Sequence, residues 1–285
     1  MSAQLQHLPA YLQRLDFERA PPPDLDTLRE LQRRHTAVFA FETIATLLQA
    51  PVPVDLPSLQ RKLLHEGRGG YCYELNRMFL ALLQDLGFQA RGLTGRVVMG
   101  GPEDAITART HLVVLVTIDG VEYLADVGFG GMVPTAPLAL HERGEQATAH
   151  EPYRLDTRGD SYVLRARSRE EWQALYVFDA QLQSEIDYVV GNWYVSTHPQ
   201  SPFRGQLFVA RTGPGLRKTL NGGSFAVHRV GAASERIELP DAAAVMAVLR
   251  DEFELRLPDD PQLPAAIERR LQVQAAERAA AQSAA

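Results

Sequence analysis

The sequence predicts an α+β protein: a helical first third, antiparallel strands forming a sheet or barrel, and a last segment mixing strands with helices. Three observations carry that reading. Apolar residues recur at helical spacing up to about residue 90, the texture then changes to short β-type runs separated by Asp, Gly and Pro, and two helical patterns return near the C-terminal end. At 285 residues, with 45% hydrophobic and 22% charged residues, the chain has the composition of a globular enzyme long enough for two or three cores.

The first helical pattern is LDTLRELQRRHTAVFAFETIATLL, residues 25–48, with Asp24 and Asp26 as N-cap residues and Pro51, Pro53 and Pro57 interrupting it. A second starts near Pro57 and Ser58 and ends at Gly67. In RGGYCYELNRMFLALLQDLGF, residues 68–88, Leu75, Met78, Phe79, Leu82, Leu83 and Leu86 keep helical spacing, and Gly87 stands where a C-terminal cap belongs. Cys72 therefore falls in the first turn of a buried helix. The β-type runs are QARGLTGRVVM, HLVVLVTI, VEYLADVGF, YRLDT, SYVLRAR and WQALYVF. Past about residue 195, GQLFVARTG, SFAVHRV and RIELP mix with the helical patterns DAAAVMAVLRDEFEL and PAAIERRLQVQAAERAAAQ.

Bulk properties remove several function classes. A net charge of -6 and a pI near 5.8 argue against broad nucleic-acid binding, which needs clustered cations to displace counterions. No apolar window approaches a membrane span, and the opening run MSAQLQHLPAYLQRLDFERA lacks the basic start and apolar core of a secretion signal. A single cysteine excludes an internal disulfide and every multi-cysteine metal site. The expected address is the cytoplasm, with no nucleic-acid or membrane partner.

The chemistry centres on that cysteine. A helix N-terminus offers free N–H groups and a positive dipole end that stabilise a thiolate, and Arg68 lies four residues upstream. Gly69 and Gly70 permit close backbone approach or a tight helix entry. A nucleophile needs a base, and the hairpin signal Asp119-Gly120 selects one. With that dipeptide as the turn, Ile118 pairs with Val121, Val113 with Asp126 and His111 with Gly128, so His111 and Asp126 share one face as diagonal neighbours. A slip of one residue would separate them. The predicted roles are Cys72 as nucleophile, His111 as general base and Asp126 as its orienter, with no step that needs a metal. His141, His150 and His198 lack ligand spacing and read as structural or surface residues.

These residues resemble the arylamine N-acetyltransferase family. The matching pieces are RGGYCYELN at 68–76, RTHLVVLV at 109–116 and YLADVGFGG at 123–131, with weaker likeness in FAFET at 39–43 and NWYVSTHPQSPF at 192–203. Thr43 stands where the family usually has Asn. The resemblance implies a cysteine-proteinase-like core: a helical bundle over 1–90 carrying the nucleophile, a β-barrel over 91–195 carrying His111 and Asp126, and an α/β lid over 196–285. It implies ping-pong acetyl transfer from acetyl-CoA, through a Cys72 thioester, to an arylamine or hydrazine, by a monomer or a homodimer. By position it places Val97, Phe129 and Phe203 in the acceptor pocket and Thr107, Gly130 and Gly131 beside CoA. Three rivals share the residue types: a cysteine hydrolase using water in place of the amine, a binding module with a buried structural thiol, and an amide synthase from within the family.

Overall fold

The computed structural model describes residues 4–168 and 171–283. Helices α1 (Leu8–Arg14) and α2 (Leu25–Val38) open the chain, and the Asp24 carboxylate caps α2 by accepting from the Thr27 N–H at 2.8 Å. The pattern read as one helix to Leu48 breaks at Phe39, whose backbone is extended. Phe41–Glu42 becomes strand β1, and a short helix α3 (Ile44–Leu47) follows. The cause is tertiary: Glu42 is drawn into buried ion pairs, and its second carboxylate oxygen caps α3 at the Ile44 N–H, 2.6 Å away.

Helix α4 (Leu56–Gln60) has Asp55 as its cap and runs into a π-helical turn over Arg61–His65. Helix α5 (Cys72–Asp85) follows, with twelve buried residues, Cys72 at its first position and Gly87 beyond its end at φ +92. Its start is closed by Glu74, which accepts from the Tyr71 N–H at 3.0 Å.

Seven strands form the barrel: β2 (Gln89–Val97), β3 (Arg109–Ile118), β4 (Val121–Ala125), β5 (Leu138–Ala139), β6 (Tyr153–Arg158), β7 (Ser161–Ser168) and β8 (Glu171–Asp179). They lie in the order β5-β4-β3-β2-β8-β7-β6, each antiparallel to its neighbour. Strand β3 reads as an unbroken apolar run because both faces are buried: Leu112, Val114 and Val116 meet α5, while Val113 and Leu115 fill the barrel. Gln146 joins the two edge strands. Its backbone exchanges both hydrogen bonds with Tyr153 of β6, and its side-chain amide does the same with the backbone of Ala139 in β5, at 2.8 and 2.9 Å.

Helix α6 (Glu185–Thr197) then crosses back over α5 and β3; its run EIDYVVGNWYVST is rich in β-branched and aromatic residues and is not among the helices the sequence reading predicts. Strands β9 (Phe208–Gly213), β10 (Leu216–Asn221), β11 (Ser224–Arg229) and β12 (Glu235–Glu238) form a second sheet ordered β1-β9-β10-β11-β12. Strand β1 thus leaves the helical region to pair with β9, Phe41 opposite Ala210 and Glu42 opposite Val209. Helices α7 (Ala242–Asp251) and α8 (Leu263–Ser283) cover this sheet through Val245, Leu249 and Ile267, joined by Phe253 from the segment between them. Among the described residues, no helix is long and apolar enough to cross a membrane.

Candidate active site

The hairpin forms in the predicted register. Asp119 and Gly120 both take positive φ, 49° and 79°, and the ladder runs from Ile118–Val121 to Val114–Ala125. It stops there, before Val113 would meet Asp126. The reason is Asn76, one turn after Cys72 on α5. Its amide sits between the next two groups of the ladder, donating to the Leu112 carbonyl at 2.6 Å and accepting from the Val127 N–H at 3.0 Å. The chain beyond β4 is thereby lifted off β3 and laid against α5. Gly128 makes this approach feasible, since a Cβ there would stand 2.8 Å from the Cys72 Cα.

Asp126 and His111 still meet, with Nε2 of the imidazole 2.7 Å from Oδ2 of the carboxylate. The carboxylate is wholly buried and fully satisfied: Oδ2 also accepts from the Tyr176 hydroxyl at 3.0 Å, and Oδ1 accepts from Asn76 Nδ2 at 2.9 Å and from the Gly128 N–H at 2.8 Å. The Asp126 carbonyl is held by the Gln32 amide. Burial works against a charged imidazole, yet the charge and hydrogen bond of Asp126, with a contribution from Cys72, raise the His111 pKa to about 10. Burial likewise opposes the carboxylate, and His111 with its other donors holds Asp126 below its ordinary range.

The Cys72 thiol is 2% exposed and donates to the Thr110 carbonyl at 3.4 Å, one residue before His111, whose pKa it helps to raise. Three elements therefore converge: α5 brings the thiol, β3 the imidazole and the loop after β4 the carboxylate. Arg68, expected to act on the thiol, turns elsewhere. Its guanidinium pairs with Glu42 at 2.9 Å, and Lys62 joins Glu74 at 2.6 Å, so these buried charges neutralise one another. Gly69 and Gly70 serve close backbone approach, because a Cβ at Gly69 would fall 2.2 Å from the Ala40 carbonyl oxygen. Thr43 bonds through its hydroxyl to the Gln206 carbonyl and the Phe208 N–H, both at 2.9 Å, tying α3 to β9.

The six residues assigned by resemblance fall into two groups. Phe129 lies edge-on to the His111 ring at 5.0 Å; Val97 pairs with Tyr176 across the sheet, and Thr107 donates to the Val97 carbonyl at 3.0 Å. Phe203 packs against Phe41 and Tyr71, the residue before Cys72, and Gly130 covers the Phe41 ring. The Gly131 carbonyl is held by Arg217 of β10. Sequence reasoning missed Asn76, Tyr176 and Gln32. Asn76 had a usable signal, four residues after Cys72 and so on the same helix face; the other two had none. His141 meets Glu122, His150 sits between Thr135 and the Leu216 carbonyl, and His198 stacks on Tyr194, all outside the centre. Among the described residues, no three His, Cys, Asp or Glu side chains cluster as metal ligands.

The sequence profile of an N-acetyltransferase family matches residues 24–261. Arylamine N-acetyltransferase of Mycobacterium tuberculosis is 41% identical over 256 residues, covering 88% of this chain and 90% of that protein. The Salmonella typhimurium protein named arylamine N-acetyltransferase / N-hydroxyarylamine O-acetyltransferase is 38% identical over 253 residues, covering 88% and 90%. The structure of Mycobacterium marinum arylamine N-acetyltransferase in complex with CoA superposes with a TM-score of 0.87 at 45% identity, covering 92% of this chain and 98% of that one. Fold and match together define the class, an acetyltransferase. Within it, the chain belongs to the arylamine N-acetyltransferase family.

Proposed function

We propose that this enzyme carries an acetyl group from acetyl-CoA, through a thioester on Cys72, to the nitrogen of an arylamine, arylhydrazine or hydrazine. The observation that carries the reading is the buried imidazole–carboxylate pair, 2.7 Å apart, beside a thiol at the first turn of α5. His111 holds the proton given up by Cys72 as an imidazolium, in keeping with its raised pKa, and Asp126 stabilises that charge. The sulfur adds to the acetyl carbonyl, the tetrahedral adduct expels CoA, and His111 returns the proton to the departing thiolate. In the second half, the amine attacks the thioester while His111 accepts its proton, and Cys72 leaves as thiolate. N–H groups at the start of α5 can hold the oxyanion, a contribution of about 3 kcal/mol in comparable sites.

Phe129, edge-on to His111, and Phe203, packed against Tyr71, suit a flat aromatic acceptor, and Val97 is assigned beside them. Thr107, Gly130 and Gly131 are the residues assigned to CoA, which the M. marinum relative binds. A thiol enzyme without a second cysteine suits the reducing cytoplasm. Intact-protein mass spectrometry after mixing with acetyl-CoA tests the central step: a gain of about 42 Da, one acetyl group, in the wild type and none in Cys72→Ala. Amide hydrolysis with no adduct would overturn the transferase reading in favour of a hydrolase.

A further inference from the structure

Eleven large apolar side chains are exposed among the described residues, and five of them belong to a single stretch: Leu182, Ile186, Val189, Val190 and Trp193. Four lie on α6 at helical spacing and make one stripe, with Trp193 62% and Ile186 63% exposed. The opposite face of α6 is committed. Tyr188 packs over Gly92, Gly191 sits against the Tyr73 ring, and Asn192 bonds the Tyr71 hydroxyl and the Val52 carbonyl. The helix cannot roll its stripe inward without giving up these contacts. An apolar row with an exposed tryptophan at one end has the composition of an interface centre.

We infer that this stripe is the contact between two copies of the chain, packed as antiparallel α6 helices about a twofold axis. Two features select a second copy. The first is the size pattern: with the axis between Val189 and Val190, the two valines oppose each other where the helices come closest, and Ile186 of each copy lies against Trp193 of the other. The second is charge. The N-terminal end of α6 carries Glu185 and Asp187, and Glu185 is 73% exposed even while paired with Arg77. Its C-terminal end carries Arg204, whose guanidinium bonds the Thr197 carbonyl and Gln49 and meets no carboxylate among the described residues. Antiparallel packing sets the acidic end of each copy against Arg204 of the other, and the helix dipoles run in opposed directions.

Tyr71 and Tyr73, which flank Cys72 in sequence, are the residues that the inner face of α6 braces.

Sedimentation velocity across about 1–100 µM, the range in which modest helix-pair interfaces assemble, tests the inference directly. The wild type is expected to move from a 31.6 kDa species toward twice that mass, while Val190→Glu stays monomeric with its activity per chain unchanged. Arg204→Glu is expected to weaken the dimer about tenfold, through like charges facing across the axis. Cys72 is the only cysteine and is buried, so Val190→Cys adds a single accessible thiol. That variant is expected to form an interchain disulfide under mild oxidation, whereas Ile237→Cys, on the exposed strand β12, is not. A monomeric wild type at every concentration overturns the inference, as does a dimer that survives Val190→Glu or equal cross-linking of both cysteine variants. A monomer that binds phosphatidylglycerol vesicles would assign the stripe to a lipid surface and overturn it equally.

Discussion

At the scale of single residues, Asp126 decides the protonation state of the site. Each of its oxygens accepts two donors, and those donors differ in what they can tolerate. The Gly128 N–H is fixed, so the amide nitrogen of an Asp126→Asn variant cannot sit on that side. It must take the place of Oδ2 and donate to Nε2 of His111. The imidazole then carries its proton on Nδ1, facing Cys72, and can no longer accept the thiol proton. We expect kcat/KM to fall by about 10²–10⁴ with the melting transition still cooperative, measured by an acetyl-CoA/aniline assay beside circular dichroism. Full activity would mean that the carboxylate does not set the tautomer. Asn76 acts alongside it by filling the ladder position that β3 and the chain after β4 would otherwise close. Without that amide, the carboxylate would stay in the sheet and the loop could not reach the thiol.

At the scale of elements, two devices hold the frame of the site. The Asp119-Gly120 turn sets the register that brings β3 and β4 to the correct offset, and nothing downstream corrects a slip. Gln146 closes the barrel through a side chain that imitates a strand. Gln146→Ala should remove two hydrogen bonds to the Ala139 backbone and cost about 1–2 kcal/mol, read as a lower urea midpoint at constant slope. An unchanged midpoint would show that the side-chain bonds of Gln146 to β5 contribute nothing to stability. The elements that the sequence concealed were those whose local preference lost to tertiary context. The α6 run is β-prone in composition, yet Ser184 and Asp187 cap it and Tyr188, Asn192 and Val195 supply a buried face. FAFE falls within a helical pattern, yet pairing with β9 and the burial of Glu42 make it a strand.

At the scale of the whole molecule, two buried histidines shape stability against pH in opposite senses. The folded-state pKa of His111 is raised from 6.5 to about 10, so its contribution is complete below pH 6.5 and is lost as pH rises toward 10. Asp126, lowered from 3.8, contributes above its unfolded value and loses that contribution as pH falls through its folded one. His35 is buried among Tyr11, Phe39 and Phe79 with its Nε2 on the Tyr11 hydroxyl, and burial lowers its pKa to about 3. Its neutral form favours folding above pH 6.5, and that contribution drains away as pH falls from 6.5 toward 3. Stability should therefore peak near pH 6–7, the region where the unfolded histidines titrate. The acid-side slope should include up to about 1.4 kcal/mol per pH unit from His35. Urea titrations of His35→Gln should show a shallower slope between pH 6 and 4 and the same alkaline limb; an identical acid slope would place the titrating group elsewhere.

What the sequence by itself determined was everything governed by neighbours along the chain. Helix starts follow local capping, the strands follow alternation and turn chemistry, and the register of β3 on β4 as far as Ala125 follows from the two-residue turn between them. Cys72 at a helix start was legible for the same reason. What only the tertiary structure decided involves groups distant in sequence that meet because burying a polar or charged group without a partner is costly. Tyr176 and Gln32 complete Asp126, Arg68 turns to Glu42 and away from the thiol, and β1 deserts its helix for β9. A buried carboxylate or guanidinium must find its partner wherever the fold supplies one, and spacing along the chain carries no record of that choice.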